Sequence, residues 1–127
     1  MTPTHRHHNR GFLNLVNDAK SRIREIGIEE LRLMLPSLGQ FLLIDTREES
    51  EWTAGHAAGA VRLGKGIIER DIETLAPDKN QPIVLYCGGG FRSALAADAL
   101  QKMGYTCVAS LAGGWRDYLA AGLPVEK

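Results

Sequence analysis

One cysteine in this sequence is followed by three glycines and an arginine, a combination that can activate a thiol. The stretch consists of Cys87, Gly88, Gly89, Gly90, Phe91, Arg92 and Ser93. Successive glycines allow backbone amides to turn inward and form a concave site for an anion, and a guanidinium adds positive charge. Such a site favours the thiolate form of a cysteine, which is the nucleophile. The alternative is a buried, inert cysteine before a glycine-rich connection.

The residues on either side indicate how this cysteine is positioned. Residues 83–86 form a continuous apolar run, typical of a strand buried on both faces. From Ser93 the apolar residues recur at helical spacing, and Gly104 follows as a C-terminal cap would. The pattern therefore predicts a strand that ends at Cys87, a glycine-rich loop, and a helix that begins at Ser93. The amino end of that helix adds N–H donors and partial positive charge.

The rest of the chain alternates predicted helices with predicted strands. We predict helices from residue 12 onward and over 29–35, 48–54, 67–75 and 115–121, and strands over 23–28 (at an edge), 41–44, 60–63 and 106–109. This alternation indicates an α/β sandwich around a mostly parallel sheet. Ligands bind at the carboxyl ends of the strands in such sheets. We therefore expect Asp45 and Cys87, which each follow a strand, to lie at the same edge.

The overall composition limits the kinds of partner. The 127 residues suffice for one domain with a single core, and 15 basic residues balance 15 acidic ones. No global charge favours nucleic acid or an anionic membrane. No apolar run reaches membrane-spanning length, and no secretory apolar segment follows the polar residues 1–10. We expect a cytoplasmic protein with a flexible polar tail over 1–11 and one domain over 12–127.

No metal, nucleotide or flavin site is predicted, and no cofactor is expected. His5, His7 and His8 lie close together in the sequence, but we favour a mobile polar tail over a metal site. The second cysteine, Cys107, lies in the predicted strand 106–109 and is expected to be a small buried hydrophobic residue. A disulfide with Cys87 is not expected in a reducing compartment, and no cysteine–histidine spacing matches a structural zinc site.

Several short motifs together resemble the rhodanese family, and in particular its small single-domain members. They are LIDTRE (43–48) with Glu51, GHAAGA (55–60), CGGGFRS (87–93), GGW (113–115) and AGLP (121–124). With GGW and AGLP counted together, there are four motifs, and they span residues 41–125. Four motifs in the family's order are far more specific evidence than any one of them alone. The resemblance implies a three-layer rhodanese-like sandwich with a mostly parallel central sheet flanked by helices.

The resemblance also implies a sulfurtransferase in which Cys87 carries a sulfur atom as a persulfide. Amides from Gly88 to Ser93 would cradle that sulfur and the anionic end of the donor, and Arg92 would help to hold the anion. The donor would be thiosulfate or a persulfide, and the acceptor cyanide, a thiol or a protein. Fixed donors and one guanidinium suit a small dianion, and they favour the charge that grows on the leaving sulfite.

Other polar residues are interpreted as supporting ones. A preformed thiolate needs no general base, so His56 is interpreted as structural. Asp45 and Arg47 are interpreted as an ion pair or hydrogen-bonded brace beneath the loop. Three further cations are candidates for additional positive charge at the pocket, although such residues more often lie in solvent: Lys65, Arg62 and Arg70.

The chain departs from the family pattern at two positions, and two other functions stay open. Ala57 replaces a larger aliphatic residue, and Gly88 replaces a larger polar one. Cysteine phosphatases and arsenate reductases use a C-x5-R loop, whereas Arg92 here completes a shorter C-x4-R, which suits a single sulfur better than a phosphoryl group. A sulfur relay or a regulatory binding module is the other alternative, with Phe91 as a candidate docking residue at the loop mouth or a residue that packs onto the helix.

Overall fold

A computed structural model describes residues 8–127 of the protein. Five parallel strands form one sheet, in the spatial order β1 (Arg24–Ile26), β6 (Val108–Leu111), β5 (Ile83–Tyr86), β2 (Leu42–Asp45) and β4 (Val61–Arg62). Two short strands, β3 (His56–Ala57) and β7 (Val125–Glu126), form a separate antiparallel pair. This arrangement confirms the predicted α/β sandwich with a mostly parallel sheet.

Helices cover both faces of the sheet. They are α1 (Arg10–Lys20), α2 (Ile28–Met34), α3 (Glu49–Ala54), α4 (Ile68–Leu75), α5 (Phe91–Lys102) and α6 (Gly114–Ala120). One core contains side chains from α4 and α5, and the other contains side chains from α2 and α6. Helix α1 packs against α5. The short connections and parallel strands bring all the strand carboxyl ends to one edge.

The central strand β5 is buried on both faces because successive side chains alternate between the two cores. Ile83 and Leu85 belong to the core under α4 and α5, whereas Val84 and Tyr86 belong to the core under α2 and α6. A strand with both faces covered has no polar position, which explains the continuous apolar run in the sequence. The prediction of this strand is confirmed at both ends.

Two elements next to the cysteines begin two residues away from their predicted starts. Helix α5 begins at Phe91, two residues before Ser93, because Gly90 takes a left-handed conformation (φ 97°) and acts as its N-cap. Strand β6 begins at Val108, so Cys107 precedes it and is exposed. The prediction of a buried Cys107 was therefore wrong. The register pairs Val108 with Ile83, which leaves Cys107 at the amino edge of the sheet, opposite to the edge of Cys87.

Only some of the predictions for the amino-terminal residues concern residues that the structure describes. Helix α1 begins at Arg10, slightly before the predicted start. His5 and His7 lie outside the described residues, and the division into a tail over 1–11 and a domain over 12–127 stays a prediction. Within residues 8–127, no helix has both the length and the apolar character needed to cross a membrane.

Candidate active site at the carboxyl edge of the sheet

Cys87 lies at the carboxyl end of β5, in the middle of the sheet, where the chain turns into α5. Its Sγ atom lies 3.1 Å from the amide nitrogen of Gly90 and 3.4 Å from that of Ser93. Ser93 is in the first turn of α5, where amides have no partner within the helix. Both amides are therefore placed to donate to this sulfur, at the end of α5 where the helix has its partial positive charge.

The thiol is more enclosed than the sequence suggested. Cys87 is only 1% exposed, whereas Gly88 and Gly89 are half-buried. A Cβ atom added at Gly89 would meet nothing within 4 Å, so the open side of the loop is at this residue. Beneath the sulfur, the Ser93 hydroxyl lies 3.5 Å from Sγ and 2.8 Å from the hydroxyl of Ser110 on β6. The loop is therefore most open at Gly89, and Arg92 borders it at Gly88.

The carbonyl groups of the loop are held by the first turn of α6. The Trp115 amide donates to the Cys87 carbonyl at 2.7 Å, and the Arg116 amide donates to the Gly88 carbonyl at 3.2 Å. In a trans peptide the C=O and N–H bonds point in opposite directions. The amides of Gly88 and Gly89 therefore point away from α6. Contacts from the first turn of α6 thus help to determine how the cysteine loop directs its donors.

Gly114 allows this close approach, which leads to a testable prediction. A Cβ atom at Gly114 (φ 56°) would lie 2.5 Å from the Cys87 carbonyl oxygen. We expect Gly114→Ala to displace the loop and to lower kcat/KM for sulfur transfer by about a hundredfold, the usual effect of a displacement near 1 Å. Gly122→Ala is a matched control, because Gly122 also has a positive φ (69°) but has open space around it. Equal activity losses in the two variants would contradict this role of Gly114.

Arg92 is positioned beside the loop by a carboxylate from α3. Its two terminal nitrogens donate to the two carboxylate oxygens of Glu51 at 2.8 and 3.1 Å. A Cβ atom added at Gly88 would lie 3.2 Å from Arg92 Nη2, so the guanidinium borders the loop. The hydrogen bonds that Arg92 donates to Glu51, and to a lesser degree the nearby Cys87, raise the pKa of Arg92 above its ordinary value. Arg92 is therefore a permanent cation with a fixed anionic partner.

Asp45 and Arg47 form a buried ion pair at the end of the neighbouring strand β2. The Asp45 carboxylate accepts from the Arg47 guanidinium at 2.8–3.1 Å and from the Tyr86 hydroxyl at 2.8 Å. Arg47 also donates to the Gly55 carbonyl at 2.7 Å, and its guanidinium lies 4.6 Å from the Trp115 ring centroid. Burial alone would lower the pKa of Arg47, but its bonds to Asp45 outweigh burial and raise it. The pair connects β2, β5, the end of α3 and α6.

His56 lies away from the sulfur, in the pair of strands β3 and β7. Its Nδ1 is 3.0 Å from the Trp52 carbonyl oxygen, and its ring stacks on the Trp52 ring at 3.4 Å between centroids. Its Nε2 lies 3.8 Å from a carboxylate oxygen of Glu126. Nδ1 thus has a hydrogen-bond partner, and Nε2 has a nearby carboxylate, outside the cysteine loop.

The three other candidate cations, Lys65, Arg62 and Arg70, differ in the partners that their side chains contact. Arg62 donates to the Arg47 carbonyl at 3.3 Å, which places it at the carboxyl edge of the sheet. Lys65 forms an ion pair with Glu69 at 3.6 Å, and Arg70 is bound to the adjacent Asp71 and is largely exposed. Arg62 is therefore the one of the three whose side chain contacts a residue of this edge.

Phe91 packs against the amino-terminal helix region. Its ring centroid lies 4.8 Å from that of His8 and 6.1 Å from that of Phe12, and the Lys20 ammonium is 5.1 Å from the Phe91 ring. Phe91 is half-buried as a result. Of the two alternatives, packing onto a helix is the arrangement that the structure contains.

Residues 8–127 hold no group of three or more His, Cys, Asp or Glu side chains arranged to bind a metal ion.

Sequence analysis missed several residues at this site. Glu51 was noted only as part of a motif, although it binds Arg92. The hydroxyl of Ser110 and the amides of Trp115 and Arg116 were not assigned to the loop at all. The signal for Glu51 was its place three residues after Glu48, because the two form a capping box at the start of α3. No local pattern marks Ser110.

The fold and this site define a class of protein: α/β sandwiches with a cysteine in the loop between a central strand and a helix. The rhodanese-like domain family matches residues 28–121, and the chain belongs to the rhodanese family. This assignment confirms the resemblance seen in the sequence motifs.

Known proteins with high similarity are consistent with this membership. The chain is 36% identical over 74 residues to thiosulfate sulfurtransferase PspE of Escherichia coli, a match that covers 58% of this chain and 70% of that protein. It is 31% identical over 103 residues to a sulfurtransferase of Allochromatium vinosum, covering 81% and 94% of the two chains. Three other curated relatives are longer, and the match covers 22% to 59% of their length.

A solved structure from Rhodopseudomonas palustris, of a protein of unknown function described as a possible tyrosine phosphatase, has the same fold over nearly the whole length. The TM-score is 0.85 at 27% identity, with 97% of this chain and 99% of that chain covered. The sulfurtransferase relatives support sulfur transfer as the general reaction of this chain.

Proposed function

We propose that the protein transfers a sulfane sulfur, from thiosulfate or an organic persulfide, to a nucleophilic acceptor through a persulfide on Cys87. The observation that carries this proposal is the convergence of the Gly90 and Ser93 amides on the Cys87 sulfur, at the amino end of α5. These amides lie where they can stabilise the negative charge on a bound persulfide.

The atoms and electrons of the proposed transfer balance with only Cys87, the donor and the acceptor, so no cofactor is needed. The Cys87 thiolate attacks the outer sulfur of thiosulfate, a bond forms between the two sulfurs, and the S–S bond of thiosulfate breaks. Sulfite leaves with the electron pair, and the outer sulfur stays on Cys87 as a persulfide anion. An acceptor such as cyanide, a thiol or a thiol of a partner protein then attacks the outer sulfur and regenerates the thiolate.

In this proposal the remaining residues of the site have supporting roles. Arg92 attracts the anionic end of the donor, and the buried pair of Asp45 and Arg47 holds the strand ends beneath the loop. His56 stabilises the neighbouring strand pair and takes no part in proton transfer.

The direct test is intact-mass analysis after incubation with thiosulfate, followed by peptide mapping. We expect one added sulfur atom, located on the peptide that contains Cys87 and removed by cyanide or a thiol. Added sulfur on Cys107 alone would contradict the proposal. Loading by thiosulfate with no transfer to cyanide or small thiols, but with transfer to a protein thiol, would favour the sulfur relay. Hydrolysis of an aryl phosphate that requires Cys87 would favour the phosphatase alternative.

The proposed role of Arg92 yields a second prediction. Replacing Arg92 with alanine removes the guanidinium beside the loop and leaves the Glu51 carboxylate without its partner. Since hydrogen bonds to charged groups contribute most of the binding of a small anion, we expect KM for thiosulfate to rise by about tenfold to a hundredfold. Steady-state kinetics provide the measurement, and Arg70→Ala is the control because Arg70 is a largely exposed arginine already bound to Asp71. Unchanged thiosulfate kinetics in Arg92→Ala would refute the assignment.

The cytoplasmic location expected from the sequence belongs to the same proposal, and cell fractionation tests it.

A further inference from the structure

Glu51 is the only acidic side chain that forms an ion pair with the loop arginine among residues 8–127. The contact has two parallel hydrogen bonds, which is the strongest geometry for an arginine and a carboxylate. The two residues are far apart in sequence and meet only because α3 and α5 both begin at the carboxyl edge of the sheet. Both side chains are about one-third exposed, at 33% and 37%, so a donor that enters from solvent passes this pair.

The Glu51 carboxylate is held in place from its own helix as well. Its Oε1 accepts a hydrogen bond from the Glu48 amide at 3.0 Å, and the Glu48 side chain accepts from the Glu51 amide in return. The hydrogen bonds from Arg92 lower the pKa of Glu51 despite partial burial, so the carboxylate is charged at neutral pH. Glu51 therefore brings a fixed negative charge to the rim of the cysteine loop.

This charge changes what the loop can attract. The ion pair of Arg92 and Glu51 at the loop carries no net charge, so a thiolate at Cys87 leaves one net negative charge on these three groups. The neighbouring cation Arg47 adds no net charge, because Asp45 binds it. A dianion therefore approaches a loop whose own guanidinium, that of Arg92, is already paired with a carboxylate. A donor with at most one charge on its sulfur meets much less repulsion.

We propose that Glu51 is a specificity-determining residue, acting through Arg92, that favours neutral or monoanionic organic persulfides over dianionic thiosulfate. This inference rests on the proposed sulfur transfer and adds the class of donor. With an organic persulfide, the Cys87 thiolate attacks the outer sulfur, the S–S bond of the donor breaks, and an organic thiolate leaves with the electron pair. Both the incoming donor and the leaving group then carry less charge than thiosulfate and sulfite do.

Glu51→Gln separates the charge of Glu51 from its geometry. Glutamine can accept from Arg92 and from the Glu48 amide, and it is found at this position of capping boxes, so α3 is expected to form normally. Glu49→Gln is the matched control: it removes one negative charge from the same helical turn, but Glu49 is exposed and makes no ion pair among residues 8–127.

The experiment compares the rate of sulfur loading from thiosulfate with that from the hydropersulfide of 2-mercaptoethanol. We expect Glu51→Gln to raise kcat/KM for thiosulfate about tenfold and to change the value for the hydropersulfide less than twofold. Glu49→Gln should change both less than twofold. If Glu51 only holds Arg92 in place, Glu51→Gln will lower or leave unchanged the thiosulfate value, or will change both donors equally. Any of these results overturns the inference.

A second measurement does not depend on sulfur transfer. Sulfate, an unreactive dianion, should protect Cys87 from alkylation by iodoacetamide at about tenfold lower concentration in Glu51→Gln than in the wild type. Equal protection in the two proteins would overturn the role of Glu51. If the wild type accepts sulfur from neither donor, the proposed function fails, and sulfate protection still decides whether Glu51 opposes dianion binding.

Discussion

Replacing Cys87 with serine is expected to abolish sulfur loading altogether, with no sulfur added from thiosulfate or from an organic persulfide. A serine hydroxyl has no appreciable alkoxide form at neutral pH, and an oxygen cannot carry the sulfur atom as a persulfide. The substitution removes the nucleophile but keeps nearly the same volume in a buried site. The amides of Gly90 and Ser93 then have an oxygen acceptor, so the free energy of unfolding should change by no more than about 1 kcal/mol.

Intact mass and cyanide-dependent turnover measure this effect, and urea denaturation shows that the variant is folded. Cys107→Ser is the matched control, since Cys107 is exposed at the opposite edge of the sheet and should retain full loading. Residual turnover in Cys87→Ser, or loss of loading in Cys107→Ser, would assign the sulfur carrier to a different residue.

Asp45→Asn is expected to give the largest loss of stability. The Asp45 side chain is completely buried and accepts hydrogen bonds from the Arg47 side chain and amide and from the Tyr86 hydroxyl. Asparagine keeps the volume but removes the charge, which leaves the buried Arg47 cation without an anion. Breaking a buried pair in this way costs about 3–5 kcal/mol. That is a large part of the stability of a domain of this size, which is about 5–15 kcal/mol.

Urea denaturation followed by tryptophan fluorescence measures this loss, because Trp115 packs on the Arg47 guanidinium. The control is Asp71→Asn, which breaks an exposed pair with Arg70 and should have a much smaller effect. A decrease in the free energy of unfolding of less than about 1 kcal/mol for Asp45→Asn would show that the pair with Arg47 does not brace the strand ends. Because the pair lies beneath the cysteine loop, the variant should also load sulfur more slowly at temperatures where it is still folded.

These predictions separate two ways in which residues support the reaction. Cys87 and Arg92 act on the donor itself, so their variants should lose activity without unfolding. Asp45 and Gly114 act on the position of the loop, so their variants should lose stability and activity together. Glu51→Gln differs from both groups, because it is expected to raise activity towards one donor and to leave the fold unchanged.

The local sequence was enough to predict the candidate nucleophile and the elements on either side of it. The apolar run over 83–86 predicted β5 because a strand covered on both faces tolerates no polar residue. The three glycines and the following helical periodicity predicted a loop and a helix after Cys87, and the motifs around Asp45 and Cys87 indicated the family. These features depend on neighbours within a few residues, so they can be read directly from the chain.

Tertiary structure alone decided what surrounds the sulfur. The pairing of Arg92 with Glu51, the hydroxyl of Ser110 and the amides of α6 all join residues that are distant in sequence. The exposure of Cys107 likewise follows from the register between β5 and β6, which periodicity within one strand does not specify. Side-chain spacing reports which face of an element is buried, but the charge and donors at a site depend on which elements the sheet brings to the same edge.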